Sequence, residues 1–202
     1  MKKEIYIIRH GETEYNHKGI VQGRGVDSSL NEKGKQQAAQ FYRAYQNEGF
    51  QKIYLSQLQR TAQTVEQFIQ DNIPVEIHEG LDEISWGIHE GKSDGNTFQQ
   101  FYKILHRWQE GELDLKIENG ESPEDVQKRQ TDFLKILEHD EKDKILICTH
   151  GRALRILLCT MLGKPLENME QFPHQNVCLY KLNFHHAAYT VELFNDITHL
   201  EK

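Results

Sequence analysis

The chain has 202 residues, 37% hydrophobic and 27% charged, which suits one globular core. Its formal net charge of −7 and pI of about 5.9 argue against a broad basic face for nucleic acid or an anionic membrane, so an anion site would have to be local. Cys148, Cys159 and Cys178 lie inside apolar runs, the pattern of buried free thiols in a reducing cytoplasm rather than of a disulfide framework.

Ile5-Tyr6-Ile7-Ile8 reads as a strand buried on both faces, and it ends abruptly in Arg9-His10-Gly11. The run is too short for a signal-peptide core, and no run approaches a membrane span. Residues 11–30, with glycine at 11, 19, 23 and 25, lack periodicity and read as a long functional loop. Asn31 can cap a helix over 32–49, with Ala38, Tyr42 and Tyr45 on one face and Gly49 at its end. Lys52 to Ser56 is a second strand. The following helix, 57–70, places Leu58, Ala62, Val65 and Ile69 on one stripe and Arg60 opposite, toward solvent.

Pro74 to Leu81 reads as a third strand, and Asp94 to Glu110 as a helix with Phe98, Phe101, Leu105 and Trp108 inward. Ser122-Pro123-Glu124-Asp125 opens a further helix by capping, proline at the first position and acids in the first turn, with Val126, Phe133 and Leu137 inward. Lys144 to His150 is another buried strand, followed by a helix that is apolar nearly all round. Strands over 176–184 and 189–194 finish the chain, with a hairpin turn within 183–188. No linker, low-complexity block or repeat divides it, so residues 1–202 are read as a single domain. Strands alternating with helices predict an α/β fold in which helices cover both faces of a largely parallel sheet, a three-layer α/β/α sandwich.

In such sheets ligands bind beyond the carboxyl ends of the strands. Arg9-His10-Gly11, Ser56 to Arg60, Asp82-Glu83 and His150-Gly151 all fall there. Singly, each is unremarkable: a strand-end histidine is usually structural, and Glu83 lies in an acid-rich stretch. Together they bring two histidines, arginines and an acid toward one pocket. Gly151 opens a helix whose first N–H groups suit an anion, and arginine forks match phosphoryl oxygens. His10, His150 and Glu83 could in principle ligate zinc, but neighbouring arginines repel a cation and no His-x-x-x-His or His-Glu-x-x-His pattern occurs. No glycine pattern makes a nucleotide loop.

The ordered set "RHGETEYN", "QGRGVDSSLNEKGKQQA", "SQLQRTAQT", "LDEISWGIHEG", "GES" and "THG" resembles the histidine phosphatase superfamily, also called phosphoglycerate mutase-like proteins. The last 40 or so residues carry no telling motif. The resemblance implies that His10 is a nucleophile that becomes phosphorylated and Glu83 the proton donor. Arg9, Asn16, Arg60 and His150 would bind the phosphoryl group, with Gln22, Glu121, Ser122 and Gly151 near the pocket and neither metal nor cofactor required. "LDEI-x-x-G-x-x-EG" followed directly by a helix is similar to the small phosphatases, so a phosphomonoester hydrolase acting on a small phosphorylated metabolite is expected. The alternatives are a cofactor-dependent mutase and a non-catalytic phospholigand-binding module. His17, Lys18, Arg24, Trp86 and His89 are candidates for the pocket walls. The expected protein is cytoplasmic, a monomer or homodimer, with no nucleic-acid or membrane partner.

Overall fold

In the computed structural model, which describes residues 2–200, the short apolar runs become the inner strands of one six-stranded sheet. Chain order is β1 (Lys2–Arg9), α1 (Glu14–Lys18), α2 (Glu32–Tyr45), β2 (Lys52–Leu55), α3 (Gln59–Thr64), α4 (Glu66–Gln70) and β3 (Val75–Ile77). There follow α5 (Gly95–Gln109), α6 (Pro123–His139), β4 (Lys144–Thr149), α7 (Gly151–Met161), β5 (Leu179–His185) and β6 (Ala188–Asp196). Strand order is β3-β2-β4-β1-β5-β6. The first four are mutually parallel, whereas β5 and β6 run antiparallel to their neighbours and extend one edge.

Alternation along the strands sorts the core into two layers. Ile5, Ile7, Tyr54, Ile145 and Ile147 face Trp108 of α5, Phe133 and Leu137 of α6 and Leu154 and Leu157 of α7. Tyr6, Ile8, Ile53, Leu55 and Cys148 face Phe41 of α2 and Phe68 of α4. The result is the expected α/β/α sandwich. Its three cysteines are free and buried, and no described helix is long and apolar enough to cross a membrane.

Several local expectations change. α2 ends at Tyr45, and Gly49, with φ +76°, belongs to the turn before Phe50. Ala38 is buried and Tyr42 and Tyr45 pack half-buried on the core as expected, but Gly34 and Phe41 join that face, because the helix packs against the loop after β1: a Cβ on Gly34 would lie 2.1 Å from the Glu12 carbonyl oxygen. The expected helix over 57–70 breaks at Val65 into α3 and α4. In α3 the buried residues are Arg60, Thr61 and Thr64, so Arg60 is 1% exposed rather than solvated. A periodicity argument assumes solvent on the polar side, and here the 11–30 loop covers that side. β3 shrinks to an edge strand with Val75 and Ile77 exposed. The hairpin turn narrows to His186-Ala187, both with positive φ, between the paired His185 and Ala188. Within the loop, Thr13 caps α1 in a capping box with Asn16, and a bridge pairs Thr13 with Leu30.

Candidate active site

Parallel register brings three strand ends together. Arg9 pairs with Thr149, and Leu55 with Cys148, so Arg9-His10, Ser56 and His150 emerge on one edge of the sheet. His10 is 3% exposed, and its Nδ1 lies 2.7 Å from the Gly11 carbonyl oxygen. A carbonyl only accepts, so Nδ1 carries the proton and Nε2 keeps its lone pair. Burial, then Arg60 and Arg9, hold the His10 pKa well below the ordinary histidine value, which keeps the ring neutral. Its backbone is fixed as well: Asn176 Nδ2 donates to the His10 carbonyl at 3.0 Å, and the Gly11 N–H donates to Thr64 Oγ1 at 2.9 Å.

Arg60 is held on three sides. Nε donates to His150 Nδ1 at 3.1 Å, Nη1 to the Val26 carbonyl at 2.6 Å and Nη2 to the Gly23 carbonyl at 3.4 Å. His150 Nε2 in turn donates to Ser56 Oγ at 2.7 Å. His150 therefore stands beside His10, ring centroids 5.0 Å apart, with both nitrogens engaged by protein and no exposure. Of the four residues expected to bind the phosphoryl group, His150 is thus the one that does not border the cavity, its ring nitrogens facing Arg60 and Ser56. Arg9 Nη1 donates to His174 Nδ1 at 3.2 Å, while its buried Nε has no partner among the described residues. Burial, then Arg9, push the His174 pKa down to about 2. Asn16 Oδ1 accepts from Thr13 and Asn176, which leaves its amide N–H groups for the cavity.

Glu83 lies at the N-terminus of α7. Oε1 accepts from the Ile84 and Ala153 N–H groups, each at 2.9 Å, and Oε2 from the Arg152 N–H at 3.1 Å. Oε2 thus has a lone pair left for a proton. Arg9, His10, Asn16, Gln22, Arg60, Glu83 and Gly151 all border one cavity of about 230 Å³.

Other sequence candidates fall elsewhere. Glu121 accepts from Arg24, Arg129 and the Ser85 N–H, pinning the segment after Glu83 to α6. Ser122 caps α6, its hydroxyl accepting from the Asp125 N–H. Neither borders the cavity: Glu121 is spent on two arginines and the Ser85 N–H, and Ser122 on the helix start. Arg24 is tied to Asp82 and Glu121, Lys18 pairs with Glu14 on the surface, and His17 is exposed. His89 is buried away from the cavity, whereas Trp86 borders it. Periodicity reads Phe98 and Phe101 as core, but they also form a cavity wall.

Sequence reasoning missed Arg152, His174 and Asn176. The only signal for Arg152 was its place directly after "THG"; the other two lie in an irregular segment before β5, brought in when that strand pairs with β1. Among the described residues no group of three or more His, Cys, Asp or Glu is arranged to hold a metal ion. Three arginines against one carboxylate at the cavity suit an anion.

A candidate phosphoserine phosphatase of Hydrogenobacter thermophilus is 29% identical, covering 98% of this chain and 97% of that protein. A probable phosphoglycerate mutase of Erwinia tasmaniensis is also 29% identical, covering 98% and 95%. The solved structure of Bacillus stearothermophilus YhfR superposes with a TM-score of 0.87 at 30% identity, covering 98% of this chain and all of that one. The profile of the histidine phosphatase superfamily (branch 1) matches residues 5–197, and the chain belongs to that family.

Proposed function

We propose that the protein hydrolyses small phosphomonoesters through a phosphohistidine on His10. The observation that carries this reading is the pairing of a neutral His10, proton on Nδ1 and lone pair on Nε2, with the buried, unpartnered Nε of Arg9. A buried donor without a partner costs free energy, and a phosphoryl oxygen would satisfy it.

In the first step Nε2 of His10 bonds to phosphorus as the ester P–O bond breaks. Glu83 gives its proton to the departing alcohol oxygen. Water then attacks the phosphohistidine, Glu83 takes the water proton, and inorganic phosphate leaves with Nε2 restored. Arg9, Arg60 and the amide of Asn16 hold the transferring oxygens, where preorganised donors contribute most. His150 and Ser56 keep Arg60 aimed, and His174 supports Arg9. Gln22 and Gly151 shape the cavity.

Hydrolysis is favoured over mutase chemistry because residues 84–94 run directly into α5. No long insertion is available there to retain a phosphorylated intermediate. The whole chain is read as one catalytic unit in the cytoplasm, in keeping with its free buried thiols. Rapid quenching with a labelled aryl phosphate tests the proposal. Acid-labile, base-stable label on His10, absent in His10→Ala, is expected, with phosphate passing to water rather than to an added alcohol. Undiminished turnover by His10→Ala overturns the mechanism, and transfer to a second hydroxyl in preference to water restores the mutase reading.

A further inference from the structure

We infer that Arg152 is a specificity-determining residue that receives a carboxylate carried on the alcohol portion of the phosphomonoester. This deepens the phosphatase reading and rests on it. Arg152 stands in the first turn of α7 and borders the cavity. Its backbone N–H donates to Glu83, the group that protonates the departing alcohol, so its side chain starts at the leaving-group end of the site.

The guanidinium is only partly spent on the protein. Nη1 pairs with Glu170. Among the described residues Nε and Nη2 have no partner, and neither belongs to the buried, unpartnered atoms, so both are open to a small ligand. Glu170 is also shared with Arg155, whose Nε is held by the Phe172 carbonyl at 2.9 Å. Two arginines on one carboxylate leave a surplus positive charge. Arg9 and Arg60 already match a phosphoryl dianion, so this third arginine at the cavity is beyond what phosphate needs.

The fork left free at Nε and Nη2 can meet both oxygens of a carboxylate at that place. The guanidinium carbon lies 5.8 Å from the centre of the Trp108 ring, and Trp108 stacks on Trp86 at 5.5 Å. Trp86, Phe98 and Phe101 form an apolar wall that can take the carbon skeleton and strengthen an ion pair by excluding water. A cavity of about 230 Å³ has room for a short acid, such as a phosphorylated hydroxy or amino acid.

The test compares 3-phosphoglycerate with glycerol 3-phosphate, which differ by a carboxylate against a hydroxymethyl group. The wild type should prefer the acid at least tenfold in kcat/KM, and Arg152→Met should erase that preference mainly through KM for the acid. Arg152→Lys, which keeps the charge without the fork, should retain part of it. Equal kcat/KM for the two esters in the wild type, or equal losses on both in Arg152→Met, overturns the carboxylate site and leaves the phosphatase reading intact. If neither ester is turned over, calorimetry decides: tighter wild-type binding of 3-phosphoglycerate, lost in Arg152→Met, supports the site, and indifference overturns it.

Discussion

Arg60 Nε donates to His150 Nδ1 at 3.1 Å, and because a guanidinium has no acceptor this contact alone makes His150 a neutral ring with its proton on Nε2. That N–H donates to Ser56 Oγ at 2.7 Å. In the proposed mechanism the histidine of "THG" is a brace for an arginine, and its pKa is held well below the ordinary value by burial, then Arg60, then His10.

Removing the brace should cost transition-state stabilisation without removing the nucleophile. His150→Ala is expected to lower kcat by about 10²–10³, the range for one lost oxyanion donor. Ser56→Ala, one bond further out, should cost less. Nitrogen NMR of the His150 ring should show the Nε2–H tautomer from pH 8 down to pH 5. An imidazolium signal at pH 6 contradicts the assignment.

Glu83 should matter most where the leaving group is poor. Glu83→Gln cannot deliver or take a proton, so turnover of alkyl phosphates should fall far more than single-turnover phosphorylation by p-nitrophenyl phosphate. Because dephosphorylation is impaired too, the variant should accumulate phosphohistidine and show a burst. Equal losses on both ester types would make Glu83 a structural cap of α7. Asp82 is a poor substitute, since its carboxylate is committed to the Gln57 N–H and to Arg24.

The protein should lose stability as pH falls below about 6.5. His10, His150 and His174 all have lowered pKa values when folded, whereas the unfolded chain takes up their protons near the ordinary value. Below that pH the unfolded state binds more protons, so unfolding is favoured by up to about 1.4 kcal/mol per pH unit for each group. His174 keeps contributing down to about pH 2. Urea unfolding at pH 6 and pH 5 should therefore show a steep loss, shallower by about one proton in His174→Asn. An unchanged slope in that variant refutes the assignment. Asp140, with a pKa lowered to about 2, titrates below this window.

Vanadate and inorganic phosphate should bind at the Arg9 and Arg60 cluster, inhibit competitively and raise the melting temperature. Saturation at 100 times Kd adds about 2.7 kcal/mol. Arg9→Lys, which lacks the Nε donor, should weaken that protection at least tenfold. Activity should survive dialysis against chelator, and restoration by zinc after such treatment would instead support a metal enzyme.

Apolar runs and alternation in the sequence determined which segments became inner strands, since Ile5 to Ile8 and Ile145 to Cys148 can only be satisfied with helices on both faces. The strand-end motifs likewise carried His10, Glu83 and Arg60 to one edge, because parallel strands present the same end of the sheet. Tertiary packing decided what local periodicity could not. Whether Arg60 faced water depended on the 11–30 loop folding over α3, and which partners the His150 ring met depended on where Arg60 and Ser56 stood across β2 and β4. Ser122 turned inward to cap α6 because a helix start claims polar side chains for its own N–H groups, and Glu121 was drawn to Arg24, Arg129 and the Ser85 N–H, partners distant in sequence. Arg152, His174 and Asn176 joined the site only when α7 and the approach to β5 closed against β1, a long-range contact that leaves no periodic trace in the residues that make it.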